Sequence, residues 1–382
     1  MYVPTFQGLS AFDLIRPANR AASCFPFNTG GLEFFRARNA IYYLLLALKS
    51  LRPRLSVLVP DYHSGNEVLA LRAAGARVHF YPIGRDLQPD LGAVERLCRQ
   101  HDPDVLYVIH YLGWAQPMDA MSAICRERAM LLVEDCALSL LSAPGGRPLG
   151  THGDWAVFCL YKTLPVPNGA LLVQNTMSLA TLDRLNLRAA GAASVLGRVA
   201  ELVVQRLRAR ASAIGTALQT AKQAVGRARR AVSASDLNRA TVGDIGFNKA
   251  DVDLRMSAAS RRLLRRFDFE AIRRRRVGNY QALGRCLSGS VTPMHSHLDT
   301  GVCPLFYPIA VDDKPAAARA LRASGVQALE FWNHGADAIA SETADVRYLR
   351  SHVLALPVHQ DLSPQHLTHM ADCVARAVRH AA

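Results

Sequence analysis

A chain of 382 residues, half of them hydrophobic and one-fifth charged, can bury a large core; this excludes a mostly disordered protein and predicts a large domain followed by a smaller one. The formal net charge of +14 with His neutral attracts anions such as nucleotide diphosphates, phospholipid headgroups or nucleic acid, without choosing among them. Eight scattered cysteines, with no CxxC pair and no Cys/His grouping at metal-ligand spacing, predict reduced, mostly buried thiols and no metal site.

The segment from Met1 to Arg20 lacks the basic start and apolar run of a secretory signal. The longest apolar stretches are broken by Arg or Lys before they reach membrane-span length, so a cytoplasmic location is expected. From Phe34 to Lys49 the stretch FFRARNAIYYLLLALK is apolar on most sides and free of Gly and Pro, which predicts a buried helix ending near Pro53. A repeating pattern follows. SVLVP reads as a short strand, NEVLALRAAG as a helix ending at Gly75, and RVHFYPI as the next strand. LGAVERLCRQ, DVLYVIHYLG, MDAMSAICRERA and MLLVEDCA continue it as helix, strand, helix and strand.

Such alternation predicts an α/β fold, a parallel sheet with helices on both faces, whose ligand site lies at the carboxyl ends of the strands. That rule selects Asp61 to Asn66, His110 to Trp114 and Glu134 to Leu138. DWAVFCL and GALLVQN add two strands around the Pro-stiffened YKTLPVPN. The composition then changes. From about Thr176 to Ser235 the chain is rich in Ala, Arg, Leu and Val, with Arg206, Arg208, Arg210, Arg227, Arg229 and Arg230 and few acids. Val195, Val199, Leu202 and Val203 fall on one helical face, so residues 176–250 are expected to form a basic helical insertion after a large domain of residues 1–175. A second basic helix carries Arg261, Arg262, Arg265, Arg266 and the run Arg273 to Arg276. VCPLFYPIAV, AARALRASGV and a helix after LPVHQDLSP complete an interdomain helix and small α+β domain over residues 251–382.

The best local signal for chemistry is VEDCALSLL, an apolar strand ending in Glu134 and Asp135. A carboxylate there, paired with a pyridine nitrogen, keeps that nitrogen protonated and lets the ring act as an electron sink. A helix N-cap or a surface acid is the other reading. Lys162 follows FCLY in a segment almost free of charge. A desolvated amine there is a nucleophile able to form a Schiff base, although most lysines reach solvent.

The run VLYVIHYLGWAQPMDAM…LLVEDCALSLLSAPGGRPLGTHGDWAVFCLYKTLPVPNGALLV resembles the core of the DegT/DnrJ/StrS sugar aminotransferases, pyridoxal-phosphate enzymes of fold type I. In that family a strand ending in His and a Gly loop precede an Asp strand, a GD turn and the cofactor lysine. RNAIYYLLLALK, VLVPDYHSGNEVLALRAAGARVHFYPI, DLRMS and LALPVHQDLS extend the similarity over most of the chain apart from the helical insertion. The resemblance implies that Lys162 joins the cofactor aldehyde and moves the proton between substrate and cofactor carbons, and that Asp135 holds the pyridine nitrogen. It places Tyr62 and His63, the latter preferred, in the loop that supplies a ring stacked on the cofactor. Arg38 and Asn39 fall where the family has the Gly-Thr that holds the phosphate at a helix start.

Several positions depart from that pattern. Leu138 stands where the family has the Gln or His that bonds the phenolic oxygen. Cys159 replaces a Ser near the phosphate, two residues closer to Lys162 than usual. Asp253 replaces the Asn that reaches toward the neighbouring subunit's cofactor. The core pair of Lys162 and Asp135 is kept, so a divergent active enzyme is expected. Glu67 is read as a helix-start acid without a catalytic role.

The resemblance further implies a homodimer with a seven-stranded sheet and a site between subunits. It implies an amino-acid donor, glutamate, and a keto-sugar acceptor linked to a nucleotide. The basic insertion is read as a solvated excursion or dimer contact in preference to a peripheral membrane contact. Nucleic-acid binding is not expected, because no aromatic residues are interleaved with the arginines. Arg273 to Arg276 read as a solvated face or an approach for a nucleotide diphosphate. Trp332 and His334, on a small-domain loop, are read as either substrate contacts or core. A non-catalytic binding or assembly protein, and a pyridoxal-phosphate enzyme acting on a non-sugar ketone, remain as the other readings.

Overall fold

The computed structural model describes residues 1–18, 24–210, 246–295, 297–333 and 343–379. Seven strands form the main sheet: β1 (Leu32–Phe34), β2 (Ser56–Pro60), β3 (Arg77–Tyr81), β4 (Val105–Ile109), β5 (Leu131–Asp135), β6 (Trp155–Cys159) and β7 (Ala170–Gln174). Their spatial order is β1-β7-β6-β5-β4-β2-β3. β6, β5, β4, β2 and β3 are parallel, and β7 is antiparallel to both its neighbours. β2, β4 and β6 are buried at every position, as continuous apolar runs covered on both faces must be.

α1 (Ala11–Ile15) precedes the sheet. The helices between the strands follow the apolar periodicity: α2 (Ala37–Leu51), α3 (Asn66–Ala73), α4 (Leu91–His101) and α5 (Met118–Glu127). α2 stops before Pro53 as predicted, but it starts at Ala37 and not at Phe34. Phe34 belongs to β1, paired opposite Ala170. Phe35 N donates to Leu254 O at 2.9 Å and Phe35 O accepts from Gly169 N at 3.0 Å. These long-range bonds hold the segment extended against its helical propensity.

After α6 (Ala180–Asp183), α7 (Ala192–Arg210) buries Val195 and Leu202 and packs Val199 and Val203 against an apolar cluster that includes Leu9, Phe158 and Leu171. Arg206 pairs with Asp361, and the Arg208 guanidinium lies 3.8 Å from the centre of the Tyr2 ring. Arg227, Arg229 and Arg230 lie outside the described residues. The second basic stretch is two helices, α8 (Ala258–Leu264) and α9 (Phe269–Leu287), separated where Asp268 caps α9 by accepting from Ala271 N. The C-terminal part then contains β8 (Phe306–Ala310), α10 (Lys314–Ala323), β9 (Leu329–Glu330), α11 (Ala344–His352), β10 (Val353–Pro357) and α12 (Pro364–Arg379). Its strands form an antiparallel sheet in the order β8-β10-β9. No described helix is long and apolar enough to cross a membrane.

Candidate active site

Parallel register aligns the strand ends: Ile109 at the end of β4 pairs with Asp135, the last residue of β5, and Asp135 pairs with Val157 of β6. Beyond this edge lies a cavity of about 320 Å³, within the size range of small-molecule sites. Its floor carries Asp135 at the end of β5 with Leu138 after it, Cys159 at the end of β6 with Lys162 after it, and Ser64 and Glu67 after β2. The first turn of α2 opens on it through Ala37 and Arg38, and the C-terminal part closes it with Phe331, Trp332 and Asn333.

Asp135 is 2% exposed. Its Oδ2 accepts from the Tyr107 hydroxyl at 2.6 Å and its Oδ1 from Ala137 N at 2.8 Å. Burial raises its carboxyl above the ordinary carboxylate range, partly offset by the Tyr107 hydrogen bond and by the Lys162 ammonium. A cation brought to its edge would therefore be bound strongly.

Lys162 ends a 3-10 turn that leaves β6. Its backbone is fastened by three distant parts of the chain. Lys162 O accepts from Gln7 Nε2 at 3.4 Å, and Thr163 O accepts from Arg276 Nη2 at 3.2 Å and Gln360 Nε2 at 3.3 Å. Arg276 also donates to Pro304 O, Leu305 O, Gln7 Oε1 and Gln360 Oε1 at 3.1–3.2 Å. It is 1% exposed, which corrects the expectation that the whole run Arg273 to Arg276 faces solvent or an incoming diphosphate. Helical periodicity turns one of four consecutive residues inward; Arg273 and Arg274 instead pair with Glu270.

The neighbouring acid, Glu134, is a structural node. It is 0% exposed and takes His110 Nε2 at 2.9 Å, Gly150 N at 2.9 Å, and His152 N and Gly153 N at 2.6 Å. His110 Nδ1 in turn accepts from Gln116 N at 3.1 Å. Together with Cys136 these two side chains form a buried His/Glu/Cys group that the sequence spacing does not reveal. The bonds already made to Glu134 and His110 account for it without an ion. Burial pushes the Glu134 carboxyl up, but the His110 hydrogen bond and the loop amides outweigh it and hold the group below its ordinary value of 4.5.

The resulting stabilisation is complete above that value and is lost as pH falls through the lower folded-state value. Glu134→Gln turns an NH₂ toward one of the donors and is expected to cost roughly 1.5–3 kcal/mol at pH 7. Urea unfolding checks this, and the gap from wild type should narrow as the pH falls.

The loop after β2 differs from the expectation. Gly65, at φ 93°, reverses the chain ahead of α3, a conformation that L side chains adopt at a cost. This turns Ser64, Asn66 and Glu67 into the cavity and leaves Tyr62 and His63 out of its lining. Tyr62 packs against Tyr111 and Trp332 with the Arg350 guanidinium 5.4 Å from its ring centre, and burial raises its hydroxyl. His63 stacks on Phe80 and its Nδ1 accepts from Gly65 N at 3.0 Å; burial, with Arg350 and Arg72, lowers it to about 3. Tyr62 Oη and His63 Nε2 are buried without a hydrogen-bond partner among the described residues.

Of the two residues expected at the phosphate, Arg38 lines the cavity, with Nη1 donating to Asn66 Oδ1 at 2.8 Å and to Gly246 O. Asn39 does not; its Nδ2 donates to Asp251 O at 2.9 Å. Cys159 lines the cavity, its thiol raised chiefly by burial. Asp253 lies outside the cavity and takes Arg188 Nε at 2.5 Å and Nη2 at 2.7 Å. Trp332 is part of the wall, and His334 falls outside the described residues. Sequence reasoning missed Glu67 as a cavity residue and the small-domain wall formed by Phe331 and Asn333.

The model of the DegT/DnrJ/EryC1/StrS aminotransferase family matches residues 37–375. Over 161 residues the chain is 26% identical to GDP-perosamine synthase of Vibrio cholerae, covering 39% of this chain and 44% of that protein. Over 141 residues it is 30% identical to dTDP-4-dehydro-2,3,6-trideoxy-D-glucose 4-aminotransferase of Saccharopolyspora spinosa, covering 36% of each. The chain thus spans less than half the length of either curated relative it matches. Among solved structures, Helicobacter pylori PseC, an aminotransferase involved in pseudoaminic acid biosynthesis, superimposes over the whole of both chains with a TM-score of 0.69 at 13% identity. That likeness establishes the fold.

Proposed function

The chain belongs to the DegT/DnrJ/EryC1/StrS aminotransferase family, and from that membership we propose that it is a pyridoxal-phosphate-dependent aminotransferase. Its fold is the α/β fold type I of those transferases. The reaction proposed moves an amino group from an amino acid, glutamate, to a nucleotide-linked keto-sugar, in a cytoplasmic homodimer. The observation that carries this reading is the convergence of Lys162 and Asp135 on one cavity at the carboxyl edge of the sheet.

The residues present fit the cofactor. A primary amine faces a buried carboxylate fixed by two donors. Arg38 stands in the first turn of a helix that has no side-chain cap, a setting suited to a phosphate. Leu138, Phe331 and Trp332 give the apolar walls that a ring needs. When bound, the cofactor supplies an electron sink for the carbanion formed at the substrate carbon. Lys162 Nζ would hold the aldehyde end and would move the proton at the reacting carbon. Asp135 would keep a proton on the ring nitrogen, and Tyr107 and Ala137 keep Asp135 in place.

The names of the two curated relatives carry a GDP and a dTDP unit, and the net charge of +14 suits a diphosphate. Both support a nucleotide-linked acceptor. Incubation with glutamate and a nucleotide-linked 4-keto-hexose should give the amino sugar and 2-oxoglutarate by mass spectrometry. Failure with GDP- and dTDP-linked keto-sugars alike would remove the proposed acceptor class. Asp135→Asn should lower the turnover roughly 100- to 1,000-fold, the range of a positioned acid–base group, while a visible cofactor band that depends on Lys162 persists. Unchanged turnover would remove Asp135 from its proposed role.

A further inference from the structure

Glu67 stands in the first turn of α3, where an acid commonly faces water, yet it is 7% exposed and lines the cavity. Ser64 Oγ donates to its Oε2 at 2.7 Å. Two carboxyls, Glu67 and Asp135, therefore share a buried site with one ammonium, that of Lys162. Two carboxylates in such quarters do not both ionise readily, and the one with more donors keeps the charge.

Asp135 has the Tyr107 hydroxyl and the Ala137 amide; besides its own amide, Glu67 has the Ser64 hydroxyl alone among the described residues. Burial raises Glu67 most, and Asp135 raises it further against Ser64 and Lys162. The titratable groups that face it are Asp135 of β5, Lys162 after β6, Tyr107 of β4 and Tyr111 after it, with Arg38 of α2, Cys159, Tyr161 and the partly exposed Glu330 of β9 on the same cavity.

We propose that Glu67 is a second acid of the site, a protonated carboxyl that donates a hydrogen bond to the phenolic oxygen of the cofactor while Asp135 carries the charge. That oxygen is the cofactor's acceptor next to the carbon that Lys162 would hold, and the side chain of Leu138, the wall residue on the Asp135 loop, has no donor to offer it. The inference rests on the pyridoxal-phosphate reading and makes a further demand on it.

The test is a pH titration of the visible band of the cofactor-loaded protein, in wild type, Glu67→Gln and Glu67→Ala. Infrared difference spectra of the same proteins at neutral pH, taken with and without cofactor, accompany it. A neutral acid is mimicked by the amide, so the band's midpoint in Glu67→Gln should stay within about half a unit of wild type. Glu67→Ala should move it by more than that. The protonated-carboxyl stretch should be present in wild type and absent from Glu67→Gln.

If Glu67 is ionised, Glu67→Gln removes a negative charge beside Lys162, moves the midpoint by about a unit or more, and shows no lost carboxyl stretch; this overturns the inference while leaving the cofactor reading intact. Absence of any band in the wild type overturns the cofactor reading itself. The isosteric Gln variant and the infrared arm decide the matter even if Glu67→Ala fails to fold.

Discussion

Lys162→Ala should reduce amino transfer by about 10⁴-fold, the upper end of what a single positioned proton-transfer group supplies. The folded protein should otherwise be unchanged, because the side chain reaches into the cavity while its neighbourhood is held through backbone carbonyls by Gln7, Arg276 and Gln360. No other described residue in the cavity lining carries a primary amine; Arg38 cannot replace it, since a guanidinium stays protonated. Single-turnover measurements with glutamate check the loss, and thermal melts check the fold. An exogenous small amine should restore part of the rate. A variant that still turned over at more than a tenth of the wild-type rate would show that the proton moves elsewhere.

The second large effect belongs to a residue that touches no reacting atom. Arg276→Met should lower the unfolding free energy by about 3–5 kcal/mol, the scale of breaking a buried charged network. The guanidinium is buried against acceptors that are all neutral, and burial lowers its proton affinity. A hydrophobic replacement relieves that desolvation, but it leaves Pro304 O, Leu305 O and the side chains of Gln7 and Gln360 without their donor. Arg276→Lys should recover less than half of the loss, because an ammonium cannot span five acceptors set around a planar fork. The same acceptors link the turn after Lys162 to Leu305 of the cavity wall. The turnover of Arg276→Lys should therefore fall more than its substrate affinity. Equilibrium unfolding in urea and a comparison of kcat with KM check both parts.

How much of this was legible follows from what each residue's role depends on. β2, β4 and β6 are readable because strands buried on both faces must be unbroken apolar runs, and the ends of β5 and β6 lead to Asp135 and Lys162. β1 and β9, of three and two residues, are too short to show a period, and Phe34 sits in an apolar run that local propensity assigns to α2. Glu67 was hidden because its burial comes from its surroundings. A Glu at a helix start reads as a solvated acid until Phe331, Trp332 and Asn333, far away in sequence, close over the cavity. Arg276 was hidden inside a charge run whose other members do face outward. The resemblance puts a stacking ring at Tyr62 or His63, but the turn at Gly65 presents the next residue, Ser64, and both rings are buried outside the cavity lining.

The most direct test of the account is the absorption spectrum of the purified protein with added pyridoxal phosphate, recorded before and after glutamate. The arrangement of Lys162, Asp135 and Arg38 predicts a visible band that bleaches when glutamate is added and returns with 2-oxoglutarate. A folded protein that shows no such band in excess cofactor would contradict the assignment of the cavity as a pyridoxal-phosphate site.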